Sequence, residues 1–159
     1  MATGSALDLG SHRVRFASAK AGKSEVELLR YMSGASEGGE SSAEAAQSMF
    51  GGEVKRGSTL RVGLTGSDLM MRYLPVPRVE DWRLERLMEF EIREIEERSG
   101  ASLASSYNLL PVPQGQDDEE TMLLGLVRED FLDETMAQMP SVSVQAFSPN
   151  AIALYNAYL

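Results

Sequence analysis

The sequence has no cysteine and only one histidine, His12, among its 159 residues. Without cysteine it has no disulfide framework and no thiolate chemistry, which fits a reducing compartment. With one histidine we expect neither a histidine-based metal cage nor a Ser-His-Asp triad. Several classes of metalloenzyme and hydrolase are therefore excluded at the outset.

Long hydrophobic runs are also missing. No stretch approaches the ~20 consecutive apolar residues of a membrane span, and residues 1–10 lack the basic start and apolar run of a secretory signal. The formal net charge of −9 argues against a nucleic-acid partner, because phosphate backbones require clustered Lys and Arg. We therefore expect a cytoplasmic protein, with a basic or neutral partner and no direct membrane insertion.

What the sequence does contain is enough apolar material for a real core, since 43% of the residues are hydrophobic. The length fits one ordinary domain or two small interdigitated ones. Turn residues and hydrophobic periodicity predict the order β-β-β-α-β, then β-α-β-β-α, then β-α. This is an α/β chain with an insertion in its middle.

The clearest predicted helix starts after Arg78 and ends at Gly100. Its apolar residues fall on one stripe at helical spacing, and they are Leu84, Leu87, Met88, Ile92 and Ile95. Glu89–Arg93 and Glu94–Arg98 are i,i+4 pairs in the favourable order. A shorter alanine-rich helix is predicted over residues 43–50, capped by Ser42.

The opening hairpin, residues 5–20, allows two interpretations. Gly10 and Ser11 permit a sharp reversal between two strands, as any β-hairpin requires. The same glycine also lets the backbone approach a ligand, so that neighbouring N–H groups can bind a phosphate. The local chemistry leaves both interpretations open, because short glycine motifs occur in many unrelated turns.

Four segments in this order resemble one known family: ALDLGSHRVR (6–15), LPVPRVEDWRLERLMEFEIREIEE (74–97), TMLLGLVREDFLDETM (121–136) and VQAFSPNAIALYNAY (144–158). Together they resemble the first half of the PilM family of type IV pilus assembly proteins. That family is related to the division protein FtsA and to the cytoplasmic part of the secretion protein GspL. The resemblance implies an actin-like, ribonuclease H-like subdomain 1A, over residues 1–66 and 141–159. It also implies an inserted α+β subdomain 1C of the SHS2 type, over residues 67–140.

The resemblance also assigns the first phosphate loop of an actin-like site. It places Asp8, Gly10 and Ser11 there, with Arg15 where family members often carry Lys. The last nine residues are apolar at helical spacing and stop without a cap, so we expect a longer protein. Because the family's second phosphate hairpin and adenosine pocket would follow, we expect no cofactor and no ATPase activity in this chain. ATP and Mg²⁺ would then belong to a full-length protein, and a nucleotide-dependent switch is the alternative function.

The resemblance implies a second task, which is the binding of a short, partly basic N-terminal peptide from a PilN-like membrane partner between 1A and 1C. Acidic residues on the long helix, including Glu85 and Glu89, suit such a peptide. Trp82 and Phe90 lie off the apolar stripe and are candidate anchors. Met70 and Met71 offer adaptable apolar contact, although adjacent residues of a strand point to opposite faces. The expected role is thus a cytoplasmic scaffold, peripheral to the inner membrane through its partner.

Two further features have simpler explanations. The carboxylate cluster of residues 117–120 lacks the alternating ligands and glycine of a calcium loop, so we interpret it as a solvated turn and expect no metal. Acidic residues on a helix are most often a solvated face, and Trp82 near a helix start often covers a core edge. Self-association through exposed apolar surface is a further expectation.

Overall fold

A computed structural model describes residues 2–23, 25–36, 41–53, 59–66, 69–110 and 119–158. Within these ranges the elements are β1 (Ala2–Leu9), β2 (Arg13–Ala21), β3 (Val26–Ala35), α1 (Ser42–Phe50), β4 (Thr59–Leu64), β5 (Leu69–Pro77), α2 (Asp81–Ser99), β6 (Leu103–Leu109), β7 (Glu119–Arg128), α3 (Glu129–Gln138), β8 (Ser143–Pro149) and α4 (Asn150–Tyr158). This order is the one the sequence predicts.

The chain divides into two compact units, one formed by Met1–Gly66 with Asp133–Leu159 and the other by Ser67–Leu132. The first boundary between the units lies between residues 66 and 67. The second lies inside α3, whereas the resemblance placed the end of 1C at residue 140. The subdomain boundaries of the resemblance stay a prediction.

The first unit is built on a five-stranded sheet in the order β3-β2-β1-β4-β8. β1, β2 and β3 are antiparallel neighbours, whereas β4 lies parallel to both β1 and β8. One face of the sheet packs against α1 in a core that contains Leu7, Val14, Phe16, Val62 and Phe50. The opposite face, which we call the open face, carries the residues that alternate with these along each strand.

The pairing of β2 with β3 contains a bulge. Ser18 is opposite Arg30 and Ala19 is opposite Leu28, so Leu29 has no partner across the strand pair. One extra residue on the edge strand inverts the face of the sheet to which each residue before it points. As a result, Leu28 lies on the open face together with Ala19.

α1 begins one residue earlier than predicted, and its N-cap is Ser41 rather than Ser42. The Ser41 hydroxyl accepts a hydrogen bond from the backbone N–H of Glu44 at 3.1 Å, and the Glu44 carboxylate accepts one from the Ser41 N–H at 3.0 Å. This reciprocal capping box satisfies two N–H groups at the start of the helix. Ser42 instead donates to the carbonyl of Gly10 at 3.0 Å, which ties α1 to the opening hairpin.

The second unit packs α2 against one face of a three-stranded sheet in the order β5-β7-β6. The predicted stripe is confirmed, since Leu84, Met88 and Ile95 are buried and Leu87 and Ile92 pack against the same core. Gly100 ends the helix in the left-handed conformation, with φ of 67°, which favours glycine.

The ion pairs on α2 follow the prediction in part. The Glu94–Arg98 pair is present. Glu89 contacts Arg86 at 3.2 Å, one turn back, rather than the predicted Arg93. Both geometries bring side chains together on a helix surface, since residues three and four apart are neighbours.

Among the described residues, no helix is both long and apolar enough to cross a bilayer. Of the predicted carboxylate cluster, Asp117 and Asp118 lie outside the described residues. Glu119 and Glu120 begin β7.

Candidate functional site

The opening hairpin closes through a tight turn between β1 and β2, whose last paired residues are Leu9 and Val14. A Cβ on Gly10 would come within 2.6 Å of the Arg13 carbonyl oxygen, so the turn itself requires glycine here. Ser11, the next predicted phosphate contact, is exposed to solvent. The geometry therefore explains Gly10 without any ligand.

Asp8 lies beside the turn on the open face of the sheet, directly opposite Arg15. Its Oδ2 contacts Arg15 Nη1 at 2.5 Å, and its Oδ1 accepts a hydrogen bond from Asn150 Nδ2 at 2.5 Å. The hydrogen bond with Asp8 raises the pKa of Arg15, because it stabilises the charged guanidinium. Both oxygens of the carboxylate thus have protein partners.

Asn150 begins α4, and its contact with Asp8 joins two elements at opposite ends of the chain. Gly63 on β4 makes room for it, since a Cβ at Gly63 would overlap the Asn150 side-chain oxygen. Sequence reasoning missed both residues, because neither belongs to a local motif. The signal that was available is the glycine inside an apolar strand, which often marks a close approach of another group.

An open cavity of about 410 Å³ lies between this cluster and α4. Its lining combines the polar residues Asp8, Arg15, Arg61 and Asn150 with small and apolar side chains. The cavity is lined entirely by residues of the first unit. The predicted phosphate-loop residues Asp8 and Arg15 therefore line one cavity together, with two contributors that the sequence did not indicate.

The predicted partner-binding residues lie in the second unit, where Trp82 and Phe90 are both exposed on α2. Their exposed fractions are 60% and 68%. Trp82, Arg86 and Phe90 follow one another at intervals of four residues, which places them along one line of the helix surface. The rise of the helix separates the two aromatic side chains by about 12 Å along the axis. Arg83 lies over the Trp82 ring, with its guanidinium carbon 5.1 Å from the ring centroid.

The charge of α2 is acidic, with seven Asp and Glu against four Arg in 19 residues. Glu85 and Glu89, which the sequence analysis selected, are both exposed. The exposed side of α2 therefore combines large aromatic side chains with carboxylates. Such a combination suits a ligand that is both apolar and basic.

Met70 and Met71 lie next to each other on β5, on opposite faces of the three-stranded sheet. Met70 is opposite Leu126, which belongs to the core under α2, and is itself exposed. Met71 is opposite Gly125, on the face that points away from α2, and is half-buried. The structure therefore does not bring both methionines to one surface with Trp82.

No protein-family model matches the sequence, and no curated protein matches it. The structural comparisons are informative. A chain of the PilM-PilN type IV pilus biogenesis complex superimposes with a TM-score of 0.69, at 11% identity over 92% of this chain. The chain has a PilM-like, actin-like fold. The cytoplasmic domain of EpsL, an inner-membrane component of the type II secretion system of Vibrio cholerae, matches with a TM-score of 0.57 at 16% identity, again over 92% of this chain.

The chain spans about half the length of these neighbours, since the match covers 47% of the PilM-PilN chain and 57% of the EpsL domain. At such low identity the similarity establishes the fold. The PilM-like fold confirms the predicted class, an α/β actin-like unit interrupted by a smaller α+β insertion.

The actin-like fold raises the question of whether Asp8 and its neighbours fit a nucleotide phosphate and Mg²⁺. A cation at Asp8 would share the carboxylate with the Arg15 guanidinium, which already contacts one oxygen at 2.5 Å. Asn150 engages the other oxygen. The residues of the PilM-like hairpin are therefore arranged to bind one another, and the fit to a metal-bound phosphate is poor.

Nowhere in the described ranges do three His, Cys, Asp or Glu side chains come together in a way that would hold a metal ion. The described residues thus offer two candidate surfaces: the open face of the five-stranded sheet, which includes the cavity beside Asp8, and the exposed side of α2.

Proposed function

We propose that this chain is a docking module of a type IV pilus or related secretion machine. In this proposal it is a cytoplasmic protein that binds a short basic peptide from the N-terminus of a PilN-like inner-membrane protein. The peptide lies between 1A and 1C and is anchored by residues of α2. The chain is held at the membrane only through this partner.

The observation that carries the proposal is the pair of exposed aromatic side chains on the acidic helix α2. Large aromatic residues are enriched among the side chains that dominate binding energy. Exposing two of them to water on one helix is unfavourable unless a partner covers their apolar surface. The fold adds support, because a protein of the same fold occurs in a complex with PilN. Because Met70 is exposed, it is a further contact in this proposal. Met71 lies on the opposite face of the sheet, so its predicted contact with the peptide is not part of this surface.

The spacing of the anchors makes the proposal more specific. Trp82 and Phe90 lie about 12 Å apart along the helix axis, and an extended peptide covers that distance in about four residues. The expected ligand is therefore an extended segment with two apolar side chains about four residues apart. Lys or Arg side chains beside them would meet Glu85 and Glu89.

The test is a calorimetric titration of the chain with a synthetic lysine-rich peptide that carries two leucines at this spacing. We expect saturable binding, and a Trp82→Ala substitution should weaken it by about ten-fold or more, as for a central interface aromatic. Tyr155→Ala is the matched control, because Tyr155 has nearly the same exposure on another helix. If the folded chain shows no saturable binding, or if both substitutions act equally, α2 is not the docking surface.

The proposal includes the absence of Mg-ATP binding by this chain alone, because each carboxylate oxygen of Asp8 already has a protein partner, Arg15 on one and Asn150 on the other. A thermal denaturation series with increasing Mg-ATP should leave the Tm unchanged. A rise in Tm that follows mass action, and that Asp8→Ala abolishes, would instead support the nucleotide-dependent switch.

A further inference from the structure

We propose that the open face of the five-stranded sheet is a second docking surface, and that its occupant is an acidic amphipathic helix of a partner protein. This surface lies in the first unit and is distinct from the α2 surface. The two have opposite charge, so their ligands are expected to differ in charge as well.

The centre of the open face is a floor of very small residues. Alternation places Ala6 beside Ala17, and Gly4 beside Ala19, all pointing away from α1. An open cavity of about 580 Å³ lies above them, and a Cβ added to Gly4 would meet no atom within 4 Å. Because the distance between packed elements depends on the side chains at their contact, this floor lets a helix approach closely.

The floor has an apolar border on the edge strand. Val26, Leu28 and Tyr31 are opposite Ala21, Ala19 and Ala17, so they share the open face. They are exposed by 73%, 62% and 57%. On the other side the floor is bordered by α4, which packs against β8 and β4. Contiguous apolar exposure of this kind marks an interaction surface.

The charges on this face determine the character of the occupant. Strand register assigns Arg13, Arg15 and Arg61 to it, with Asp8 as the acidic residue among the described strand positions. Because Arg15 is ion-paired with Asp8, the excess positive charge comes from Arg13 and Arg61, so a chain with net charge −9 presents a basic surface here. No described residue forms an ion pair with Arg61, which lines both cavities of the face. Two copies of this face would bring arginines against arginines, which argues against a second copy and favours an acidic partner.

The length of the floor sets the length of the helix. Five strand residues, from Ala17 to Ala21, span about 13 to 17 Å, and a helix covers that distance in about nine to eleven residues. The expected ligand is thus an amphipathic helix of about three turns, apolar on the side that faces the floor and acidic on its flanks.

The test uses a synthetic helical peptide of about 18 residues with leucines on one side and glutamates elsewhere, long enough to be partly helical in water. The control peptide carries Lys at every Glu position. We expect saturable calorimetric binding of the glutamate peptide, weakened by added salt, and no binding of the lysine peptide. Binding of neither peptide, or of both equally, would overturn the proposal.

Variants then locate the surface. Ala6→Trp fills the floor and should weaken binding of the glutamate peptide by at least about ten-fold. Arg61→Glu should do the same without altering the floor, and it keeps the test decisive if the Trp variant fails to fold. Arg93→Glu is the matched control, because it changes the net charge equally on the exposed side of α2. Equal loss with Arg61→Glu and Arg93→Glu would show that only overall charge matters, against the proposal.

Light scattering tests the remaining alternative, in which a second copy of the chain covers the open face. A dimer that forms with increasing concentration, and that Ala6→Trp abolishes, would show that a second copy covers the open face. That result would overturn the proposal in favour of self-association. We expect the chain to stay monomeric. We also expect Trp82→Ala to leave its binding of the glutamate peptide unchanged.

Discussion

Replacing Gly63 by alanine tests the contact between the two ends of the chain. A Cβ at this position would overlap the Asn150 side-chain oxygen, so the amide must rotate away and lose its hydrogen bond to Asp8. The backbone itself is no obstacle, since the left-handed conformation is found in the described chain only at Gly100. The expected cost is therefore that of one side-chain hydrogen bond.

Its magnitude can be worked from the structure. A hydrogen bond to a charged group contributes about 1.5–3 kcal/mol to stability. Asp8 keeps 29% of its side chain exposed, so the lower end of this range applies. The Gly→Ala change itself stabilises by about 0.4–1 kcal/mol, because it restricts the unfolded chain. Gly63→Ala should therefore lower the free energy of unfolding by about 1 kcal/mol.

The decisive measurement is a double-mutant cycle with Asn150→Ala, followed by urea denaturation. Once the amide is removed, Gly63→Ala has nothing to displace and should be neutral or stabilising by about 0.5 kcal/mol. The coupling between the two substitutions should then be about 1.5 kcal/mol, in the range found for contacting residues. If Gly63→Ala costs the same with and without Asn150, the proposed reason for its cost is wrong.

Three further predictions concern the core, a helix cap and a titrating group. Met88→Ala should lower the free energy of unfolding by about 2–5 kcal/mol, measured by urea denaturation, because the side chain is fully buried between α2 and the three-stranded sheet. Ser41→Ala should cost about 1 kcal/mol in the same measurement, whereas Ser42→Ala should cost less, because Ser41 is the N-cap. NMR titration of side-chain carboxyls should find the pKa of Asp130 below its ordinary value, and Arg128→Ala should raise it, because the Arg128 side-chain hydrogen bond is the main cause of the shift. Since the folded pKa is the lower one, the Asp130 contribution to stability is present above the ordinary pKa and is lost as the pH falls through the folded pKa.

Local patterns were sufficient for much of the fold. The stripe of Leu84, Met88 and Ile95 predicts both α2 and the side it buries, because a helix repeats its face within seven residues. The end at Gly100 follows from the same local chemistry. The order of helices and strands along the chain also follows, because alternating apolar residues and turn residues lie close together in sequence.

The candidate site depends instead on contacts that no local pattern contains. Asn150 lies 142 positions from Asp8, so only the parallel pairing of β4 with β1 and β8 reveals that they meet. The misplacement of the cap at Ser42 has a smaller cause. Two adjacent serines are equally good caps by residue type. Only the extended backbone conformation of Ser41, with ψ of 155°, shows which of them is the N-cap.

The bulge opposite Ser18 and Ala19 determines which residues the edge strand presents. With regular pairing throughout, the alternation before Arg30 would be inverted, and Glu27 and Leu29 would lie on the open face. The unpaired Leu29 instead puts Val26 and Leu28 there. A one-residue shift that paired Leu29 with Ala19 would therefore exchange an apolar border for a partly acidic one with no change in composition. The pairing register of this strand, more than its residue types, thus determines what kind of surface the sheet offers.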